Sequence, residues 1–496
     1  MASNSTLRKS RNEDRISELP DAILCHILSF FSTREAMKTS ILSHRWKNVW
    51  ASVPNLDFNE YDYYLDYVFR TLPQPVRYDS DWFAQFVNRV LLSRCQGNIH
   101  RFCLRTTDMM NVSLIDSWVS TAIKHNVVEL VLSSGGPRLP DFEIPRCLFM
   151  CNTLVSLELG VHKNIRAVTP PSHCFPCLKL LHVTFCFPDS HTVEKLFPSF
   201  PVLEDLIIDG EHEDASAFNL VISAPKLKRL QISFIVRKFA MIAAASDSED
   251  YENYGCQIFV SADAPNLEEL DIYYDILVSY SLKNAKCLRK AEIGFLDVKD
   301  LENLDYFLGL ADRICRLFAD ICNAKYLTVS APIFAALDIR YHSLLLTFSN
   351  LHHLELQLQT CLCLQSLTTL LKISPNLEHL KILPKREHLY VNEYNYCDDD
   401  DEDEPEHGWD APESVPVCLI SHLKTICLWE FKGCPNEVEV AKYLVKHGKA
   451  LNKVTIYNHF SEDEEMEIRS PSALWSKFSK FPRGSKTCKI QFQTII

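Results

Sequence analysis

The feature that most constrains this chain is a recurring spacing of large aliphatic residues, L-x-x-L-x-L, with Ile or Val substituting. The clear copies are Leu154-Leu157-Leu159, Leu178-Leu181-Val183, Leu203-Leu206-Ile208, Leu227-Leu230-Ile232, Leu267-Leu270-Ile272, Leu351-Leu354-Leu356 and Leu377-Leu380-Ile382. Leu423-Ile426-Leu428 and Leu451-Val454-Ile456 follow near the C-terminus, and weaker copies begin at Ile99, Val127, Leu288 and Ala324. From Leu154 to Leu227 the first positions fall 24, 25 and 24 residues apart. Five copies carry a proline two residues ahead of the first Leu: Pro176, Pro201, Pro225, Pro265 and Pro375. Proline there fixes an extended approach to a strand. One such unit cannot bury its own leucines, whereas stacked neighbours share a continuous core, so the spacing predicts an array of short strands.

The spacing fits the period of leucine-rich repeats, roughly 20–29 residues. Two steps are longer. The step from Leu227 to Leu267 contains the polar stretch Ser246–Glu252, and the step from Leu377 to Leu423 contains an acidic run. On each strand the residue between the last two aliphatic positions points to the opposite face. Those residues are Glu158, His182, Ile207, Gln231, Asp271, Glu292, Thr328, Glu355 and Lys381. Glu158, His182, Gln231, Asp271, Glu292, Glu355 and Lys381 are the candidate partner-binding residues, on a face expected to be concave. Four of them are acids, which points to a partly basic protein partner.

Composition excludes several function classes. Net charge is −13, the wrong sign for a protein that neutralises nucleic-acid phosphates. Eleven acids and no Lys or Arg lie between Glu393 and Glu413, so the remainder is nearly neutral. Seven consecutive acids, Asp398 to Glu404, repel one another and are expected to be disordered. With twelve glycines, no GxGxxG, GxxxxGK[ST] or GxSxG can be written, and HExxH is missing too. Dinucleotide folds, P-loop NTPases and nucleophile-elbow hydrolases lose their sequence support. The nineteen cysteines include one C-x-x-C, Cys174 and Cys177, without the second pair that a zinc site wants. Cys177 stands beside Leu178 and is expected to be buried. The reading is of no catalytic residues, no metal and no cofactor. No window supplies the roughly 20 uninterrupted apolar residues of a membrane helix, and the first twenty residues lack the apolar stretch of a secretory signal. The expected location is the nucleus, the cytoplasm or both, with no membrane or nucleic-acid partner.

The N-terminal segment 14–58 has a different pattern. Pro20 suits a first helical turn and Asp21 its positive end. Ile23, Leu24, Ile27, Leu28 and Phe31 follow at helical spacing. Ser32-x-x-Glu35 is a capping box for a second helix, and a third is expected to carry Leu42, Trp46, Val49 and Trp50. Three short helices cannot bury so many large apolar groups alone, so the segment needs a partner surface. From Leu19-Pro20 to the spaced Trp46 and Trp50, ending ILSHRWKNVW, it resembles the F-box of plant F-box/LRR proteins. That resemblance implies docking on a Skp1-type adaptor through Leu19, Pro20, Ile23, Leu24, Ile27, Leu28, Leu42 and Trp46.

The C-terminal residues are similar to the FBD module of the same family. The matching pieces are Pro416-Val-Cys418-Leu419, Leu423, Phe431-Lys432-Gly433, Tyr443-Leu444, Leu451, Val454 and Pro482-Arg483. Read from its own residues, the module is two more strand units with a helix from about Asn436 to His447, then a helix near Ser472–Phe481 and a last strand at Thr487–Gln493. The preferred reading is a capping end for the array. The expected fold is α/β: a three-helix F-box, an irregular leucine-rich-repeat solenoid and a C-terminal FBD module. The expected boundaries are a disordered tail at 1–13, the box at 14–60, a linker with an amphipathic helix at 61–98, repeats at 99–385, an acidic linker at 386–414 and the FBD at 415–496. The resemblance implies a non-catalytic receptor subunit of a Skp1–cullin–F-box ubiquitin ligase, binding the adaptor directly, the cullin indirectly, and a client protein through the repeats. A scaffold bound to the adaptor without cullin is the alternative.

Overall fold

The computed structural model describes residues 16, 18–62, 81–94, 97–107, 112–135, 142–143, 146–161, 165–166, 174–186, 200–212, 218–236, 258–274, 278–295, 304–330, 333, 346–358, 367–384, 409, 411–431, 433, 435–458 and 471–494. The expected tail at 1–13, the polar stretch at 246–252 and the seven-acid run lie outside the described residues. The chain divides into two units, Met1–Thr184 and Phe185–Ile496.

The first unit opens with α1 (Asp21–Leu28), α2 (Thr33–Lys38), a 3-10 turn at Thr39–Ile41 and α3 (His44–Ala51). The Ser32 hydroxyl accepts from the Glu35 N–H at 3.3 Å, which starts α2 as the capping pattern predicts. Leu24, Leu28, Ala36, Trp46, Val49 and Val53 bury one another, with Leu19, Cys25 and Trp50 packed against them. The expected third helix begins only at His44, so Leu42 belongs to the turn before it.

The chain then enters β1 (Asn55–Asn59), followed by α4 (Asp81–Ser93), β2 (Arg101–Thr107), α5 (Val112–Lys124) and β3 (Glu129–Gly135). A short pair, β4 (Phe142–Glu143) with β6 (Ile165–Arg166), flanks α6 (Arg146–Phe149) and β5 (Ser156–Val161), and β7 (Leu180–Cys186) comes next. β1, β2, β3 and β5 form a parallel ladder. Its register puts Leu56, Phe102, Leu130 and Leu157 in one buried row, and Phe58, Leu104, Leu132 and Leu159 in the next. The ladder therefore starts inside the span read as the box: Val53-x-x-Leu56-x-Phe58 is a repeat copy in its own right. On the return side, Trp118 of α5 is buried and donates from Nε1 to Asn88 Oδ1 of α4 at 2.7 Å.

The second unit contains β8 (Asp205–His212), β9 (Phe218–Ser223), β10 (Arg229–Val236), β11 (Ile258–Asp263), β12 (Glu269–Tyr274), β13 (Val278–Lys283) and β14 (Lys290–Phe295). It continues through α7 (Leu304–Asp320), β15 (Tyr326–Ser330), β16 (His353–Leu358), α8 (Leu367–Ile373), β17 (His379–Pro384), α9 (Val417–Ser421) and β18 (Thr425–Leu428). α10 (Pro435–His447), β19 (Lys453–Asn458), α11 (Pro471–Ser479) and β20 (Lys489–Thr494) end it. The main ladder runs β8-β10-β12-β14-β15-β16-β17-β18-β19-β20. The fourth positions of the repeats share one cross-strand row, from Leu206 through Leu230 and Leu270 to Val454 and Ile490. Successive repeats of this unit are joined by a shared carbonyl. Lys228 and Arg229 both donate to Glu204 O, Glu268 and Glu269 to Lys228 O, and Arg289 and Lys290 to Glu268 O, at 2.8–3.1 Å.

Two features depart from expectation. First, β9, β11 and β13 form a separate parallel sheet on the return side, where the sequence spacing marked no strands. α7 packs against its edge strand β13, and the Leu282 N–H donates to Asp320 Oδ2 at 2.8 Å. Second, Cys177 is exposed, because the chain turns at Pro176–Cys177 before reaching Leu178; Cys174 is the buried member of that pair. No helix among the described residues is long and apolar enough to cross a membrane.

Candidate functional site

Two surfaces remain once the cores are accounted for. The first is the outer face of the N-terminal helices. Of the eight residues expected to dock, Leu24, Leu28 and Trp46 are 0%, 3% and 6% exposed and form the helices' own core. They support the surface from behind and do not present it. Leu19 is half-buried against that core, while Pro20, Ile23, Ile27 and Leu42 are exposed. Phe30, Phe31 and Ile41, outside the expected set, are also exposed, at 77%, 52% and 86%. Seven exposed apolar residues on so small a helical segment mark an interaction site. Their signal in the sequence was the second apolar side of the i, i+4 pattern: Phe31 sits at helical spacing after Ile27, and Ile41 beside Leu42. Three hydrogen bonds hold this segment together. Thr33 is buried and its Oγ1 accepts from the Asp57 N–H of β1 at 2.7 Å. Arg45 at the start of α3 donates from Nε to Asp21 Oδ1 at 2.8 Å and from Nη2 to the Leu19 carbonyl.

The second surface is the open face of the ladders. In the second unit the register lines up Ile207, Gln231, Asp271, Glu292, Thr328, Glu355 and Lys381 as one cross-strand row. Five of the candidate partner-binding residues, Gln231, Asp271, Glu292, Glu355 and Lys381, are thus brought together. Glu158 shares a row with Asp57, Cys103 and Val131 in the first unit, and His182 lies on β7. Lys381 Nζ is 3.0 Å from Glu355 Oε2 and 5.4 Å above the Trp429 ring, which stacks on Tyr457 at 4.1 Å. Beside this row the same face carries a stack that the sequence reading passed over. Tyr326, His353 and His379 lie ring on ring at 4.4 and 4.3 Å, and His379 Nδ1 is 2.7 Å from Thr425 Oγ1. Its signal was an aromatic or His residue just before the fourth repeat position on three successive strands. Burial, with the neighbouring imidazoles, holds His353 below its ordinary range, and burial does the same to His379. Burial, and then the Glu292 carboxylate across the strand, pushes the Asp271 carboxyl up to about 7.

Comparison with known proteins follows the same division of the chain. Residues 16–58 match the F-box domain family. Residues 115–294 match the LRR repeats of the FBD-associated F-box protein At5g56370, and residues 411–456 match the FBD family. The Arabidopsis thaliana F-box/LRR-repeat protein At4g14096 is 30% identical over 488 residues, covering 96% of this chain and 94% of that protein. The chain belongs to the plant F-box/FBD/LRR-repeat family. Two further Arabidopsis relatives span it just as fully. F-box/FBD/LRR-repeat protein At4g00160 is 28% identical over 98% of this chain and 96% of its own length. FBD-associated F-box protein At5g56380 is 29% identical over 97% of this chain and 100% of its own length. The exposed apolar face is therefore the outer face of an F-box, and the open rows belong to its leucine-rich repeats. The FBD match opens at 411, and Trp409 just ahead of it is anchored. Its N–H donates to Asn436 Oδ1 at 2.9 Å and its ring meets Tyr443 edge-on at 5.2 Å. Trp409, within the span read as an acidic linker, therefore packs on the module.

Proposed function

We propose that this chain is the non-catalytic substrate receptor of a Skp1–cullin–F-box ubiquitin ligase, working in the nucleus, the cytoplasm or both. The observation that carries the reading is the exposed apolar face of the F-box, built on a core of its own and joined through β1 to a repeat ladder. The face docks on a Skp1-type adaptor through Pro20, Ile23, Ile27, Phe30, Phe31, Ile41 and Leu42. Leu24, Leu28 and Trp46 keep it in shape. The adaptor links the chain to a cullin. The open face of the repeats, with the Gln231–Lys381 row and the Tyr326–His353–His379 stack, takes the client. Holding the client beside the conjugating enzyme raises the effective concentration of its lysines, and the receptor itself makes and breaks no bonds.

Co-purification tests the reading. Wild type should bring down both a Skp1-type adaptor and a cullin. Ile23→Asp or Leu42→Asp, each placing a charge on the exposed face and outside the core, should weaken adaptor capture at least about 30-fold, about 2 kcal/mol, while thermal stability stays within a few tenths of a kcal/mol of wild type. Adaptor without cullin would make the chain a scaffold, and a folded, soluble chain that captures neither would overturn the reading.

A further inference from the structure

The docking face is assembled from two pieces of chain. Pro20, Ile23 and Ile27 stand on or beside α1, whereas Ile41 and Leu42 stand in the turn before α3. α1 has eight residues, too few to hold a helix by backbone hydrogen bonding alone. The residue N-terminal to it, Pro20, offers no side-chain cap. Something outside α1 must fix where its first turn sits relative to the 39–43 turn. Arg45, three residues beyond Leu42, spans that gap. Its Nε donates to Asp21 Oδ1 at 2.8 Å, its Nη2 lies 2.6 Å from the same carboxylate, and Nη2 also donates to the Leu19 carbonyl. One guanidinium thus grips the backbone just before Pro20 and the side chain just after it. A planar fork holds its donors in fixed directions, whereas a lysine ammonium sits on a flexible stem and positions the two acceptors less rigidly. The grip lies at the surface: the Arg45 and Asp21 side chains are 37% and 65% exposed. Exposed ion pairs contribute little to global stability, so its consequence falls on geometry.

We propose that Arg45 is a positioning residue for adaptor binding: it clamps the Leu19-Pro20-Asp21 corner to α3 so that the two halves of the docking face are presented together. The clamp rests on the adaptor-docking reading above and adds to it the residue that sets the face's geometry. Its loss leaves the F-box folded with a loosened corner, and each binding event must then reorder that corner.

The test uses the full chain and purified Skp1-type adaptor, with affinity measured by calorimetry and folding by thermal midpoint. Arg45→Met should weaken binding about 5- to 20-fold with the midpoint within about 2 °C of wild type. Arg45→Lys should recover only part of the loss, because its ammonium sits on a flexible stem without the fork's fixed geometry. Leu24→Ala is the structural comparison: it should lower the midpoint by removing core volume. Ile23→Asp reports the contact itself. If Ile23→Asp loses the adaptor while Arg45→Met binds within twofold of wild type, the clamp is overturned and the docking reading stands. If Arg45→Met lowers the midpoint as far as Leu24→Ala, Arg45 is a folding residue and the clamp is again overturned. If Ile23→Asp binds like wild type, the docking reading fails and takes the clamp with it.

Discussion

Asp271 is the residue where the open face departs furthest from a solvated surface. It lies in register with Glu292 on the next strand, one of its carboxylate oxygens is buried without a hydrogen-bond partner, and its carboxyl is pushed up from 3.8 to about 7. A folded-state value above the unfolded one means that the folded chain prefers the protonated form. That stabilisation is complete below about pH 4 and is lost as pH rises through about 7. Asp271→Asn keeps the size and removes the titration. The variant should match wild type near pH 4 and melt higher at pH 8, by about 1–3 °C. The full shift corresponds to about 4 kcal/mol at 1.36 per unit, and the water that still reaches the side chain lowers the expected gain to roughly 1–3 kcal/mol. A flat difference between the two proteins across that range would show that the carboxyl titrates normally. The L-x-x-L-x-L spacing was enough to put Asp271 on the open face. Its raised carboxyl was not legible, because part of it comes from Glu292, 21 residues later, which falls in register only once the ladder forms.

At the scale of elements, the main strands were readable because each repeats one local pattern with two buried positions. The sheet of β9, β11 and β13 was not, although its strands alternate buried and exposed residues as Leu220/Ile222, Val260/Ala262 and Tyr280/Leu282 do. Period two over so few residues carries little weight beside a leucine repeat, and β9 and β11 run straight into Pro225 and Pro265, which mark the approach to the next main strand. β1 was missed for a different reason: its copy of the pattern lay inside a span already assigned to the box. Close packing between neighbouring strands was also out of reach of the spacing. Gly210 of β8 lies opposite Phe234 of β10, and a Cβ added there would stand 2.1 Å from the Phe234 ring, which is itself buried. Gly210→Ala should therefore destabilise the chain by about 1–3 kcal/mol, read as a lower thermal midpoint. Phe234→Leu in the same chain should recover part of that loss. Additive losses in the double variant would mean that the two positions do not compete for space.

Taken as a whole, the second unit does not end where its regular repeats end. Leu423 and Leu451 mark two more strand units in the sequence and point to a cap at the C-terminus, and the register extends that reading. β17 pairs with β18 from His379↔Thr425 to Ile382↔Leu428, β18 with β19, and β19 with β20, all parallel. The same inward row runs unbroken through Leu380, Ile426, Val454 and Ile490. The return side is continuous as well: α8 meets α9, α9 meets α10, and the buried Cys418 thiol donates to Leu371 O at 3.4 Å. Burial pushes that thiol up to about 12, as befits a side chain inside a core. The FBD residues are thus the last rungs of the ladder, and the step from Leu377 to Leu423 is an insertion between two adjacent rungs. A chain truncated after Pro384 would expose the β17 edge together with the apolar residues of α8, an aggregation-prone combination. It should be recovered as aggregate or not at all, whereas the full chain should be monodisperse by light scattering. A truncated chain that stays monomeric with an unchanged thermal midpoint would show that the ladder is complete at β17 and that the FBD is an appended domain.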